Sequence, residues 1–418
     1  MTRQSLAPLH LAGYRAWLGG RATTAFGNSI APLALAFAVL DISGSPRDLG
    51  LVVGTRTLVN VLFVLFGGVL ADRLPKDVLL VASSVAAFAS QAVIAALVLT
   101  GTATIPLLMA LSAVNGMVAA LCWPTSSAII PQLVPAEMRQ QANALGRVVL
   151  NAANVLGAPI GGILAASIGP GWGIAADAVT FLLSAVLFAT IRLPREAPGA
   201  AAEKPSLIQD LRTGWGEFWS RTWLWTVVAG FCVVNAALVG GMFVLGPVVA
   251  DDTIGRKLWG FVIAAQTVGM ILGALTALRL RVRRMLLLGV VMTGFVALPV
   301  LVLGVRPHFF LLVIAGFVAG VAIEQFGIAW ETTMQEHVPG DKLARVYSYD
   351  MLGSLLAVPV GQVAVGPLAE TFGLEATLVG LATLILLAVV GMVCSRDVRH
   401  LRHELPEPDP VVAKEPAA

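Results

Sequence analysis

Charge is what this sequence has least of. Only 12% of its 418 residues are Asp, Glu, Lys or Arg, against roughly a quarter in soluble domains, so the chain lacks the polar surface that water demands. Cysteine is scarce as well: three residues without paired spacing exclude a disulfide framework and a zinc cluster. The five histidines (His10, His308, His337, His400, His403) are scattered among tails and loops. No acidic pair or Gly-rich phosphate loop accompanies them, so neither a metal, a cofactor nor an enzymatic centre is expected. The Gly-x-x-x-x-Gly-Lys-Ser/Thr pattern of an ATP site is missing, and energy must come from a gradient or another subunit. A net charge of +3 with no dense basic stripe excludes nucleic acid as a partner.

What is present is apolar length. Hydrophobic residues make up 57% of the chain. A hydrocarbon core of about 30 Å needs roughly 20 apolar residues per helix. Twelve such stretches occur, at 16–40, 49–71, 78–99, 104–128, 142–167, 172–192, 223–248, 258–279, 285–304, 308–329, 347–368 and 375–394. They are too long for strands and lack the alternation of a membrane barrel. Only helices satisfy their own backbone in lipid, so the expected fold is an all-α membrane protein of twelve transmembrane helices.

The basic residues test that count. With both termini and every even-to-odd connection on the cytoplasmic side, that side carries 20 Lys/Arg and the opposite side 4; Arg21, Arg56 and Arg147 fall within spans. Such a bias obeys the positive-inside rule. Arginine outnumbers lysine 22 to 5, as in proteins of GC-rich bacterial genomes, and a multi-pass protein of a bacterial cytoplasmic membrane is expected. The long first apolar stretch leads straight into a second, so no cleavable signal peptide is needed.

One extended polar interval divides the spans six from six. Residues 194–221 begin as a Pro/Ala/Gly/Glu linker and pass into an amphipathic surface helix with Leu207, Ile208, Leu211, Trp215, Phe218 and Trp219. The expected units are therefore a six-helix bundle at 1–193, the linker at 194–221, a second bundle at 222–396 and a flexible cytoplasmic tail at 397–418. The halves repeat. Asp41 and Asp251 both close a span, and Leu49-Gly50-Leu51-Val52 answers Leu258, Gly260, Phe261 and Val262. On that offset Arg56 falls on Gln266. Trp123 with Val134-Pro135-Ala136-Glu137 answers Trp330 with Val338-Pro339-Gly340-Asp341, and Ala158-Pro159-Ile160-Gly161 answers Val358-Pro359-Val360-Gly361. Two pseudo-symmetric bundles with a site at their midplane interface describe a secondary transporter.

The loop after the second span reads Gly67-Gly68-Val69-Leu70-Ala71-Asp72-Arg73-Leu74-Pro75-Lys76-Asp77. It resembles the signature loop of the major facilitator superfamily, Gly-x-Leu-Ala-Asp-Arg-x-Gly-Arg-Arg/Lys, with Pro75 in place of a glycine and Asp77 in place of a basic residue. Asp72, Arg73 and Lys76 would then form a breakable latch between helices; the second-half counterpart, Arg279 to Arg284, has lost its acid. Gly157-Ala158-Pro159-Ile160-Gly161-Gly162 is similar to the antiporter motif of drug exporters, with Pro159 one place late. Gly157 and Gly161 also serve plain close packing. The fourth-span Arg-x-x-Gln-Gly of the family is Ser112-Ala113-Val114-Asn115-Gly116, without the arginine. Over residues 10–400 the chain resembles the bacterial drug- and siderophore-exporter branch that includes macrolide efflux and enterobactin exporters. Trp17-Leu18-Gly19-Gly20-Arg21 with Ala31-Pro32, Trp330-Glu331-Thr332 and Val346-Tyr347-Ser348-Tyr349-Asp350 carry that likeness.

A charge in mid-bilayer costs several kcal/mol, so each asks for a reason. Glu324 lies about 16 residues into the tenth span, a helix that the resemblance places along the central cavity. It is the candidate for proton coupling, and a carboxylate hydrogen-bonded for structure is the other reading. Arg56 and Asp177 lie at similar depths and are expected to pair structurally. Arg21 either reaches the headgroups or lines the cavity. Glu331, Arg345 and Asp350 surround one cytoplasmic connection, as an inner gate would. Asn28, Asn115 and Asn235 fall in the first, fourth and seventh spans, cavity helices by resemblance, and bind substrate or glue helices. Of Phe26, Phe231, Met242, Phe243 and Phe326, two or three are expected on an apolar cavity wall. The leading expectation is a monomeric exporter of amphiphilic small molecules, in contact with lipid and driven by proton antiport. Metabolite uptake by symport is the second reading, and a polytopic enzyme or sensor a remote third.

Overall fold

The computed structural model describes residues 3–73, 75–135, 138–191, 215–216, 218–277 and 282–402. Among them every regular element is helical, and twelve helices have membrane length. They are α1 (Ala12–Ser43), α2 (Pro46–Arg73), α3 (Lys76–Leu99), α4 (Ile105–Ala128), α5 (Arg139–Ser167) and α6 (Pro170–Ala189) in the first half. The second half has α7 (Thr222–Asp252), α8 (Arg256–Ala277), α9 (Met285–Val305), α10 (Phe309–His337), α11 (Gly340–Leu355 and Val358–Phe372) and α12 (Leu374–Cys394). Each coincides with one of the twelve apolar stretches. Ten are long and apolar enough to cross a membrane by those criteria alone, and α4 is a shorter apolar helix over Ile105–Ala120.

Most of the expected linker (194–214 and 217) and of the tail (403–418) lies outside the described residues. At the end of the linker Phe218 is buried, while Trp215 and Trp219 are exposed and stacked with centroids 5.7 Å apart. A short helix, Arg396–His400, buries Val398 and carries the first four residues of the expected flexible tail. A single apolar side chain facing α7, α9 and α12 is what holds this turn to the bundle.

The packing repeats helix by helix. In the first half α1 packs on α5 and α6, α2 on α4, and α3 on α4 and α6; adding six to each number gives the pairs of the second half. Lipid supplies no hydrophobic drive for these contacts, so close approach through small residues takes its place. A Cβ at Gly116 of α4 would strike the carbonyl of Arg56 on α2, and one at Gly320 of α10 would strike the carbonyl of Gln266 on α8. The expected match of Arg56 with Gln266 is thus a match in packing. Gly157 of α5 sits against Phe26 and Ser29 of α1 as Gly361 of α11 sits against Ala236 of α7. α1 and α2 therefore map onto α7 and α8 at an offset of 210, and α4 and α5 onto α10 and α11 at 204. This corrects the match of Pro159 with Pro359: its offset of 200 is one helical turn short of the register that the backbones use. The turns agree with the longer offset. Gly169 (φ 99°) and Gly373 (φ 86°) stand at the corners before α6 and α12, where a side chain would be strained.

The halves meet along two symmetry-related seams, α2 on α11 and α5 on α8. Gly50 faces the Gln362 carbonyl in one, and Gly260 faces the Ala158 carbonyl in the other. Both seams lie toward one end of the bundle, the far end, opposite the near end where α1 begins.

Candidate functional site

Backbone irregularity marks the interface between the halves. Residues Gly240–Leu245 of α7 form a π-helical turn, a feature frequent at functional sites. It is flanked by tight packing of Gly240 on Val365 and Gly361. Phe243, within that turn, is partly exposed in an otherwise buried stretch, and it lines a cavity of about 260 Å³. Walls come from α1 (Asn28, Ser29), α5 (Asn151, Asn154), α7, α8 (Thr267) and α10 (Glu324). Glu324 is the one charged residue among the described lining residues. The charges that act on it are Arg147 of α5, in the other half, and Glu331 on its own helix.

Two further cavities adjoin this one. One of about 320 Å³ shares Pro32 and Phe243 with it, and also has Arg56, Asn60 and Gln362 in its wall. The other, of about 210 Å³, shares Asn28 with the first and Arg56 and Asn60 with the second. It lies inside the first half, lined by Arg21, Ser83, Ser84 and Asn115 among others. Five of the expected cavity and coupling residues (Arg21, Asn28, Asn115, Phe243 and Glu324) thus line these spaces.

The remaining expected residues are placed elsewhere. Phe326 is buried and stacks between Phe231 and Trp330, with ring centroids 3.9 and 5.9 Å away; this aromatic file fills the second bundle rather than the cavity wall. Asn235 donates to the Ser354 carbonyl at 3.0 Å, tying α7 to α11. Phe26 and Met242 are outside the three linings, and Met242 is fully buried. Arg56 and Asp177 do not pair directly. Asp177 is fully buried and takes a hydrogen bond from Gln91 Nε2 at 2.5 Å, while Arg56 acts on it only through space. Asp350 accepts from Trp330 Nε1 at 2.9 Å and Ser354 at 3.2 Å, within its own half. Glu331 is exposed. The side chains of Asp72, Arg73, Lys76 and Arg345 lie outside the described residues. Gly157 and Gly161 pack on α1, and the Pro159 Cα abuts Gly260 of α8, so the Gly/Pro motif joins the seam between halves.

The far end holds a cluster that sequence reasoning missed. Arg256 Nη1 and Nη2 bond to Asp41 of the first half, at 3.0 and 2.5 Å. Its Nε and Nη2 also reach Asp251, at 2.7 and 2.8 Å. The guanidinium lies over the Phe37 ring, 5.0 Å from its centroid. Ser45 adds a bond across the same end, to Glu370 at 3.1 Å. The available signal was the spacing of Asp41 and Asp251 together with a cation on the side where cations are rare. These hydrogen bonds and this ion pair, seen among the described residues, join the two halves at one end. Toward the near end Arg147 and Asn151 are exposed on α5.

This arrangement is a chamber between two pseudo-symmetric bundles, shut at one end. The profile of the Major Facilitator Superfamily matches residues 18–278. The multidrug efflux pump Tap of Mycolicibacterium fortuitum is 29% identical over 420 residues, covering 95% of this chain and 98% of its own. A mutant of the nucleoside transporter NupG shares the fold at 12% identity, with a TM-score of 0.70 over 91% of this chain and 98% of that one. A bacterial homologue of the iron transporter ferroportin, in an inward-facing state, does so at 15% identity, with a TM-score of 0.69 over 92% and 99%. Twelve helices in duplicated bundles and a family profile over more than half of the sequence lead to one conclusion: the chain is a membrane transporter, not an enzyme, and belongs to the major facilitator superfamily.

Proposed function

We propose that the protein exports amphiphilic small molecules from a bacterial cytoplasm, as a monomer in the lipid bilayer, by exchanging them for protons. The observation that carries this reading is the cavity between the halves, whose described lining is apolar and amide-rich with a single carboxyl, Glu324. Apolar walls with few polar groups suit an amphiphile. Likeness over nearly the whole chain to a multidrug efflux pump supports export.

In this reading the two bundles, 1–193 and 222–396, rock about the chamber, and the 194–221 connection permits the movement. Substrate enters from the near end while Arg256 holds the far end closed. When the far end opens, Glu324 takes up a proton from outside as substrate leaves. Return of the near-end opening lets the proton go to the cytoplasm. Coupling requires that the acid meet each compartment in turn.

The test is transport by purified protein in proteoliposomes under an imposed pH gradient, with ethidium as a fluorescent amphiphilic cation. Glu324→Gln is expected to abolish gradient-driven movement while the purified protein stays monodisperse. Coupling retained at the wild-type level in Glu324→Gln removes Glu324 from the mechanism. Accumulation that runs with the proton gradient rather than against it replaces exchange with symport.

A further inference from the structure

The cavity inside the first half has a charge and polarity that transport of neutral or cationic amphiphiles leaves unexplained. Arg21 and Arg56 both line it, with Asn60, Asn115, Ser83 and Ser84. Asp177 is the acid whose charge reaches Arg56. Among the described residues Arg56 makes no hydrogen bond or ion pair with the protein, and it lines both this cavity and the neighbouring one of about 320 Å³ that also has Phe243 in its wall. An arginine that lines two adjoining cavities without a bond to the protein is suited to planar oxyanions, which its fork binds with two parallel bonds.

The duplicated half shows that the fold does not need this chemistry. By the register of the packing glycines, Arg21 corresponds to Phe231, Arg56 to Gln266, Asn60 to Met270 and Asn115 to Ala319. Each of these four has a neutral and mostly apolar counterpart, in a bundle with the same helix pairs. Asn60 also donates to the Gly116 carbonyl at 3.1 Å and Asn115 to Ser90 at 3.5 Å, tying helices together, so it is the two arginines, absent from the second copy, that packing does not account for. Charges in a membrane interior are costly to retain without use.

We infer that the first-half cavity is a subsite for a carboxylate, with Arg56 as its fork and Arg21, Asn60 and Asn115 around it. Substrates that fill both spaces would be amphiphiles bearing an acid group, with the apolar body against Phe243 and the carboxylate toward Arg56. This assignment rests on the reading of the chamber as a transport path, yet it concerns equilibrium binding and needs no gradient to be tested.

The experiment measures thermal unfolding of the full-length protein in a neutral detergent, followed by tryptophan fluorescence, with benzoate and the neutral benzamide as probes. Benzoate is expected to stabilise the protein at concentrations about tenfold or more below those benzamide requires, the size expected of a bond to a charged partner. Arg56→Gln installs the residue of the matching position in the second half, and should erase the difference. Arg56→Lys keeps the charge and should retain part of it. Equal responses to the two probes, or no response to benzoate, overturn the assignment, as does a preference that survives in Arg56→Gln. If chloride displaces benzoate as readily as acetate does, the pocket is a general small-anion site and the carboxylate assignment also falls. Loss of proton coupling in Glu324→Gln with benzoate preference intact would separate the two readings. A result at one residue does not decide the other.

Discussion

Arg256 holds an aspartate from each half at once, and that double hold gives the far end its closure. Asp41 is 42% exposed at its side chain and Arg256 20%, so solvent screens the pair and its worth is modest, about 1 kcal/mol for a well-formed bidentate contact. Removing it by Asp41→Asn should raise the ratio of far-end-open to far-end-closed molecules roughly fivefold. Spin labels on Ser43 and Thr253, with distances read by pulsed electron resonance, would report this as a growing long-distance population. An unchanged distance distribution would reduce Asp41 to a surface ornament of α1. Glu324, Asn28 and Phe243 are legible in the sequence alone, because a carboxyl, an amide or an aromatic in mid-span has few reasons to be there. Arg256 is not, since its partner Asp41 lies 215 positions away and a cation at a helix start looks like any loop charge. Phe326 misleads for the opposite reason: an aromatic beside a carboxyl on one helix faces a different way, here into a stack with Phe231.

At the level of helices, movement depends on the two seams. In each of them backbone approaches backbone through a glycine, and at Gly260 an added Cβ would lie 2.5 Å from the Ala158 carbonyl and 3.0 Å from Pro159 Cα. Neither obstacle is a flexible side chain, so the helices must part. Gly260→Val should therefore wedge α5 from α8, stop transport, and leave a cysteine placed at Phe243 open to an impermeant maleimide from the far side. Gly380→Ala, on α12 where nothing stands within 4 Å of the new atom, is the control and should transport normally. Normal transport by Gly260→Val would mean that this seam does not set the closed state. The helices themselves are readable from composition, since twelve apolar runs of membrane length leave lipid few other structures to accept. Their register is not. In an Ala/Val/Gly-rich chain a Pro-x-Gly match one turn out of phase scores as well as the true one, and the backbone separates them, through the carbonyls met by Gly157 and Gly361 and the corner glycines Gly169 and Gly373.

The whole molecule is asymmetric along its axis in two independent ways. In the twelve-span topology expected from the sequence the basic residues fall 20 against 4 on the side of the near end, and among the described residues the hydrogen bonds and ion pair that join the halves gather at the far end. The first asymmetry speaks to orientation, because cations are retained on the side where a membrane protein is made. The second speaks to state, because an end tied by Arg256 and two glycine seams is closed. If the positive-inside expectation holds, a chamber shut at its far end faces the cytoplasm, which is the loading state of an exporter and the releasing state of an importer. Orientation therefore has to be measured before direction is argued. In a version whose three native cysteines are replaced by serine, Thr102→Cys in the far-end loop between α3 and α4 should react with impermeant maleimide in intact cells. Arg283→Cys at the near end before α9 should react only after the membrane is opened. The reverse pattern would place the termini outside and make the shut end the cytoplasmic one. Labelling of both positions in intact cells would break the odd number of crossings between them, α4 to α8, and with it the pairing of each first-half helix with a second-half partner.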